Sequence, residues 1–147
     1  MMRLVAAAWL VLAAAPAVAA DRYAVVITGA AGGEAYAKKY DAWRTSFVST
    51  LRDKLGFDDS HLFVLADTES AGVAQATRQQ VLRLFGDLRK LVAKDDLLFV
   101  LLIGHGTSFD GEDGKFNLVG PDLRASEWAD LLRPIRGRIA FVDTTGA

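Results

Sequence analysis

The chain has 147 residues, is 52% hydrophobic and 24% charged, and carries a formal net charge of −1. That balance fits one globular domain, or part of a larger one, and excludes a disordered chain. So small a charge gives no electrostatic footprint for nucleic acid, and the absence of cysteine excludes disulfides, thiolate catalysis and cysteine metal sites together.

Residues 1–20 read as a signal peptide. Arg3 supplies a positive start, Leu4 to Ala15 an apolar run, and Ala17-Val18-Ala19 the small-x-small pattern of a cleavage site. A run of twelve is too short for a bilayer core of about 30 Å, so no stable membrane span is expected after cleavage. Cleavage after Ala19 or Ala20 would start the mature chain near Asp21. Export without cysteine suits a bacterial periplasm or secretion.

From residue 21 strands and helices alternate. Tyr23–Thr28 predicts a first strand, ending in the glycine-rich turn Gly29–Gly33. Such a turn invites a nucleotide-binding reading, but the G-x-G-x-x-G spacing is absent, and a simple loop is favoured. Tyr36, Tyr40, Trp43, Phe47, Leu51 and Leu55 step by three and four, predicting one helix over 34–55 with an aromatic core face. His61 to Ala66 predicts a second strand, with His61 at its structural entry end, and a loop runs from Asp67 to Ala76. Thr77 with Gln80 forms a capping box for a second helix, whose apolar face is Val81, Leu84, Phe85, Leu88, Leu91 and Val92.

The organising stretch is Leu97–Ile103 followed by Gly104-His105-Gly106. Seven unbroken apolar residues suit a strand buried on both faces. The run delivers a histidine between two glycines at its carboxyl end, the edge where α/β sheets place their ligands, and an imidazole there is a candidate general base. An acidic loop follows over 110–113, then a short exposed strand over 115–119. A third helix is marked by Trp128, Leu131, Leu132 and Ile135 and capped by Ser126; a fourth strand runs from Arg138 to Asp143. This order predicts a mainly parallel sheet with helices on both faces.

On the strand ending in His105-Gly106, the opening strand Tyr23–Gly29 and the segment Ile139–Thr145, the chain resembles the caspase-like fold of the legumain-type cysteine peptidases. The resemblance covers roughly residues 22–147. It implies a three-layer α/β sandwich with strand order 2-1-3-4, and a site in which His105 is the dyad histidine and Gly106 offers its amide to an oxyanion. Gly104 and Asp143 would shape that site. The family's cysteine position is matched by Thr145. Its hydroxyl is far less acidic than a thiol of pKa roughly 8.5, and an internal threonine lacks the amine that activates threonine nucleophiles. The expectation is therefore a catalytically degenerate pseudo-peptidase or peptide-binding module. The alternatives are a hydrolase in which His105 activates Thr145, Ser108 or a residue beyond Ala147, and a nucleotide-binding α/β domain. No cofactor or metal is implied, and a peptide or protein ligand is the expected partner. Domain 21–147 reads as truncated after the fourth strand, most simply a fragment, leaving Ile139–Val142 as an apolar edge.

Overall fold

The computed structural model describes residues 20–109 and 113–146. The signal-peptide reading of residues 1–19, the acidic residues Asp110 and Glu112, and Ala147 lie outside the described residues.

The fold is α/β, built on a five-stranded parallel sheet. In chain order its elements are β1 (Arg22–Thr28), α1 (Glu34–Ser49), β2 (Leu62–Ala66), β3 (Ala74–Gln75), α2 (Arg78–Leu91), β4 (Leu97–Ile103), β5 (Gly106–Thr107), β6 (Lys115–Phe116), β7 (Leu123–Arg124), α3 (Ala125–Leu132) and β8 (Arg138–Asp143). The main sheet runs β3-β2-β1-β4-β8, and β5-β6-β7 form a small antiparallel sheet beside it. β1 and β4 lie at the centre, paired over seven residues from Arg22 with Leu97 to Thr28 with Ile103.

Alternation within the central strands builds two cores. Tyr23, Val25, Ile27, Leu98, Val100 and Leu102 meet Val81, Phe85 and Leu88 of α2 and Trp128 of α3. Ala24, Val26, Leu101 and Ile103 face the other way, onto Tyr40 of α1 and Leu51. A strand apolar on both faces shows no alternation in sequence, which is why β4 reads as an unbroken run. Leu102→Ala would empty space at a fully buried position. We expect it to cost about 3 kcal/mol in urea unfolding, within the range for buried leucines.

Several expectations need correction. The first helix is not uniformly α: α1 ends at Ser49 and passes into a π-helical turn over Thr50–Lys54. Its aromatic stripe is only partly core, because Tyr40 is buried while Tyr36 and Trp43 are exposed. Leu91 of α2 is also exposed. The stretch 67–76 is not all loop, since β3 adds a parallel edge strand to β2. Lys115–Val119 is not an exposed strand either: only Lys115 and Phe116 are strand, and Phe116 and Leu118 are buried in the α2-side core.

Ser126 does not cap α3. Glu127 reaches back to the Arg124 N–H at 3.0 Å, and Asp113 accepts from the Ser126 N–H at 3.0 Å. Hydrogen bonds from Ser126 hold the Asp113 carboxyl below its usual range. Glu127 also pairs with Arg78 at the start of α2, tying the two helices together. The Arg78 hydrogen bond, then that from Arg124, pulls the Glu127 carboxyl down to about 2 from an ordinary 4.5. A carboxylate lowered in the folded state stabilises above its unfolded value and loses that contribution as pH falls. Stability should therefore drop as pH falls from about 4.5 to about 2, and Glu127→Gln should flatten that part of the pH–denaturation curve.

At the sheet's far edge β8 pairs with β4 alone among the described residues. Its side chains are open, with Ile139, Phe141 and Val142 all exposed. No helix among the described residues is long and apolar enough to cross a membrane.

Candidate functional site

The parallel sheet brings the carboxyl ends of β1, β2, β4 and β8 to one edge, where Gly104, His105, Gly106, Asp143 and Thr145 are found. β4 ends at Ile103, and Gly104 follows under the Phe116 ring. A Cβ on Gly104 would sit 3.1 Å from Phe116 Cε2 and 3.3 Å from the Gly29 nitrogen. The edge is thus packed to glycine dimensions at that point.

His105 is half-buried between two tyrosines of α1. Tyr36 meets its ring edge-on with centroids 4.6 Å apart, and Tyr40 does the same at 5.6 Å. Burial, then the neighbouring Tyr36, pushes the Tyr40 phenol above its ordinary value, so it stays protonated at neutral pH. Edge-to-face packing of this kind fixes ring orientation. Helical spacing alone assigns both tyrosines to a core stripe. Their role beside His105 comes from the turn after β4 folding back onto α1, which periodicity does not encode.

The backbone of His105 is held as firmly as its ring. Its carbonyl accepts from the Asn117 N–H at 3.0 Å, and the Asn117 carbonyl in turn accepts from the Ala30 N–H at 3.0 Å. The Asn117 side chain receives the Thr107 hydroxyl at 3.0 Å. Asn117 therefore latches the exits of β1 and β4 together, and no sequence pattern signals it. Because Asn117 bonds the carbonyl of His105, antiparallel alternation turns the Gly106 N–H away from β6.

Thr145 stands where a Gly106 side chain would be. A Cβ on Gly106 would lie 3.0 Å from Thr145 Oγ1 and 3.1 Å from Thr145 Cβ. β8 aligns Asp143 with Leu102. The Thr144 hydroxyl and N–H both bond the Leu102 carbonyl, at 2.9 and 3.1 Å. The Asp143 carboxylate then accepts the Thr145 N–H at 2.9 Å, closing a tight turn. Strand pairing and this turn set the Thr145 hydroxyl against the Gly106 backbone. Gly106 and Thr145 are 39 positions apart in the chain (145 − 106), and they approach each other at the junction of two adjacent strands.

His61 is at the opposite end of the sheet, its ring on Tyr23 with centroids 4.2 Å apart. The glycine-rich turn after β1 has three of its five amides engaged: Gly29 N–H bonds the Ile103 carbonyl, Ala30 N–H that of Asn117, and Ala31 N–H the Asp67 carboxylate at 3.3 Å. A phosphate cradle needs such amides free. Among the described residues no three histidine or acidic side chains gather as metal ligands.

No protein-family model matches the chain, and no curated protein matches it.

Proposed function

We propose that this chain is an exported, caspase-like domain resembling the legumain-type cysteine peptidases, with Thr145 in the place of the thiol. It would act as a degenerate pseudo-peptidase that holds peptides and does not cut them. The observation that carries this reading is the approach of Thr145 to Gly106, the residue after His105, across the β4–β8 pair. The order β2-β1-β4-β8, equivalent to 2-1-3-4 among the strands read from sequence, supports the caspase-like assignment. The group that Thr145 offers beside the Gly106 backbone is an internal β-branched alcohol. Such a hydroxyl remains protonated beside a neutral imidazole and is a weak nucleophile.

The same approach favours a second reading, a hydrolase in which His105 activates the Thr145 hydroxyl. The two are separated by offering the protein a panel of peptides and esters. Under the first reading turnover is absent or indifferent to His105→Ala, while peptides shift the His105 ring resonances in NMR spectra. Hydrolysis abolished by His105→Ala would replace the first reading with the second.

A further inference from the structure

We propose that Asp21 is the amino terminus of the processed protein and that its ammonium group pairs with the buried carboxylate of Asp96. This rests on the signal-peptide reading of residues 1–20 and is independent of the catalytic one.

Asp21 is where the fold takes hold of the chain. Its N–H lies 2.8 Å from Asp96 Oδ1, and its carbonyl accepts from the Leu97 N–H at 2.9 Å. Ala20, one residue earlier, is exposed. The small residues suited to signal-peptide cleavage end at Ala19 and Ala20. The first anchored nitrogen therefore lies at the second of the two cleavage points, after Ala20.

Asp96 supplies the second observation. It is only 6% exposed, and its other oxygen accepts the Ala93 N–H at 2.8 Å. Among the described residues it forms no ion pair with a lysine, arginine or histidine. Arg138 comes near, but its N–H bonds the Asp96 carbonyl, and its guanidinium bonds the Asp95 carbonyl at 3.3 Å. A buried carboxylate with two amide donors and no cation is an unusual arrangement.

Processing supplies the missing charge. Water adds across the Ala20–Asp21 amide: Ala20 leaves as a carboxylate. The Asp21 nitrogen, which carried one hydrogen, becomes an ammonium with three. That cation forms where the N–H already meets Asp96 Oδ1. Cleavage would thus stabilise the mature fold over the precursor.

The test begins with the full-length precursor, exported and recovered. Its intact mass should show loss of residues 1–20, and any other start overturns the proposal. The protein beginning at Asp21 is then compared in urea with the same chain released with Ala20 attached. The second form keeps the Asp21 N–H but moves the charge outward. At pH 7 the folding constant of the Asp21 form should be about tenfold larger, and Asp96→Asn should erase the difference. Equal stability, or a difference that survives Asp96→Asn, overturns the pairing.

The pH dependence has a defined sign. A paired amine titrates above the unfolded α-amino value of about 7.7–8.0. Its contribution is complete below that value and fades as pH rises through the folded one. Nearby groups are the Asp21 carboxylate, Tyr23, Arg22, Asp58, His61, Asp95 and Arg138. The Tyr23 phenol is pushed up by burial and then by Asp21 and Asp96. Only the step lost in both Asp96→Asn and the Ala20 form belongs to the amine.

Discussion

Gly29→Ala should destabilise the fold by about 3 kcal/mol, whereas Gly86→Ala should stabilise it by about 0.5–1 kcal/mol. The substitution is the same and the surroundings reverse its sign. A Cβ on Gly29 would lie 2.2 Å from the Asn117 carbonyl oxygen, a backbone atom, and 3.0 Å from Phe116 Cζ. Neither neighbour can step aside easily. Phe116 is buried in the core, and Asn117 is held by the Ala30 and His105 hydrogen bonds. Relief requires the hairpin to lift, which exposes Phe116 and breaks a backbone bond worth about 1 kcal/mol. Gly86, in the exposed part of α2, has no atom within 4 Å of its added methyl. There an alanine only restricts the unfolded chain and favours the helix. Urea midpoints of the two variants moving in the same direction would refute this account of Gly29. Because the lifted hairpin carries the clamp on His105, Gly29→Ala should also broaden the His105 ring signals.

Thr145→Cys should create a thiol whose iodoacetamide alkylation has an apparent pKa about 1.5 units below the ordinary value of roughly 8.5. The replacement exchanges the hydroxyl for a thiol and removes the γ-methyl. Cysteine therefore lacks the β-branch that limits threonine's rotation. The sulfur would take the place of Oγ1, beside the Gly106 backbone. A neighbouring imidazolium stabilises the thiolate, as does an amide directed at it. The rate at pH 7 should rise by only about threefold, because a less basic thiolate is also a weaker nucleophile. The pH midpoint is therefore the decisive readout. Adding His105→Ala should return it to roughly 8.5. A midpoint already at that value in the single variant would mean that Thr145 does not occupy the nucleophile's place.

The central strands, and the edge at which the site would form, are legible because burial on both faces writes itself as an unbroken apolar run. Leu97–Ile103 could be little else. The partners of His105 are less visible. Tyr36 and Tyr40 share a helical stripe with Trp43, and spacing alone assigns all three to one core face. The structure divides them, with Tyr40 in the core of Ala24, Val26, Leu101 and Ile103 and Tyr36 and Trp43 open. The π-helical turn at Thr50–Lys54 breaks the phase as well. A widened turn rotates the residues after it relative to an α-helical count, so Leu51 is buried while Leu55 is exposed. Asn117 is silent in sequence, since its latch is mostly backbone and any residue type except proline could donate that N–H. β3 is equally hidden, because two residues carry no periodicity.

The pairing of β1 with β4 has a kinetic consequence. Every bond between them joins residues about 75 apart, as in Arg22 with Leu97. Among the described residues the main sheet contains no hairpin to seed it, so a long loop must close before the two central strands are buried. Closing so long a loop costs entropy early and returns contacts late. Refolding should be slow for a chain of this size. During that delay Leu97–Ile103 stays uncovered, and self-association of the unfinished chain, rising with protein concentration, becomes the principal competitor of folding.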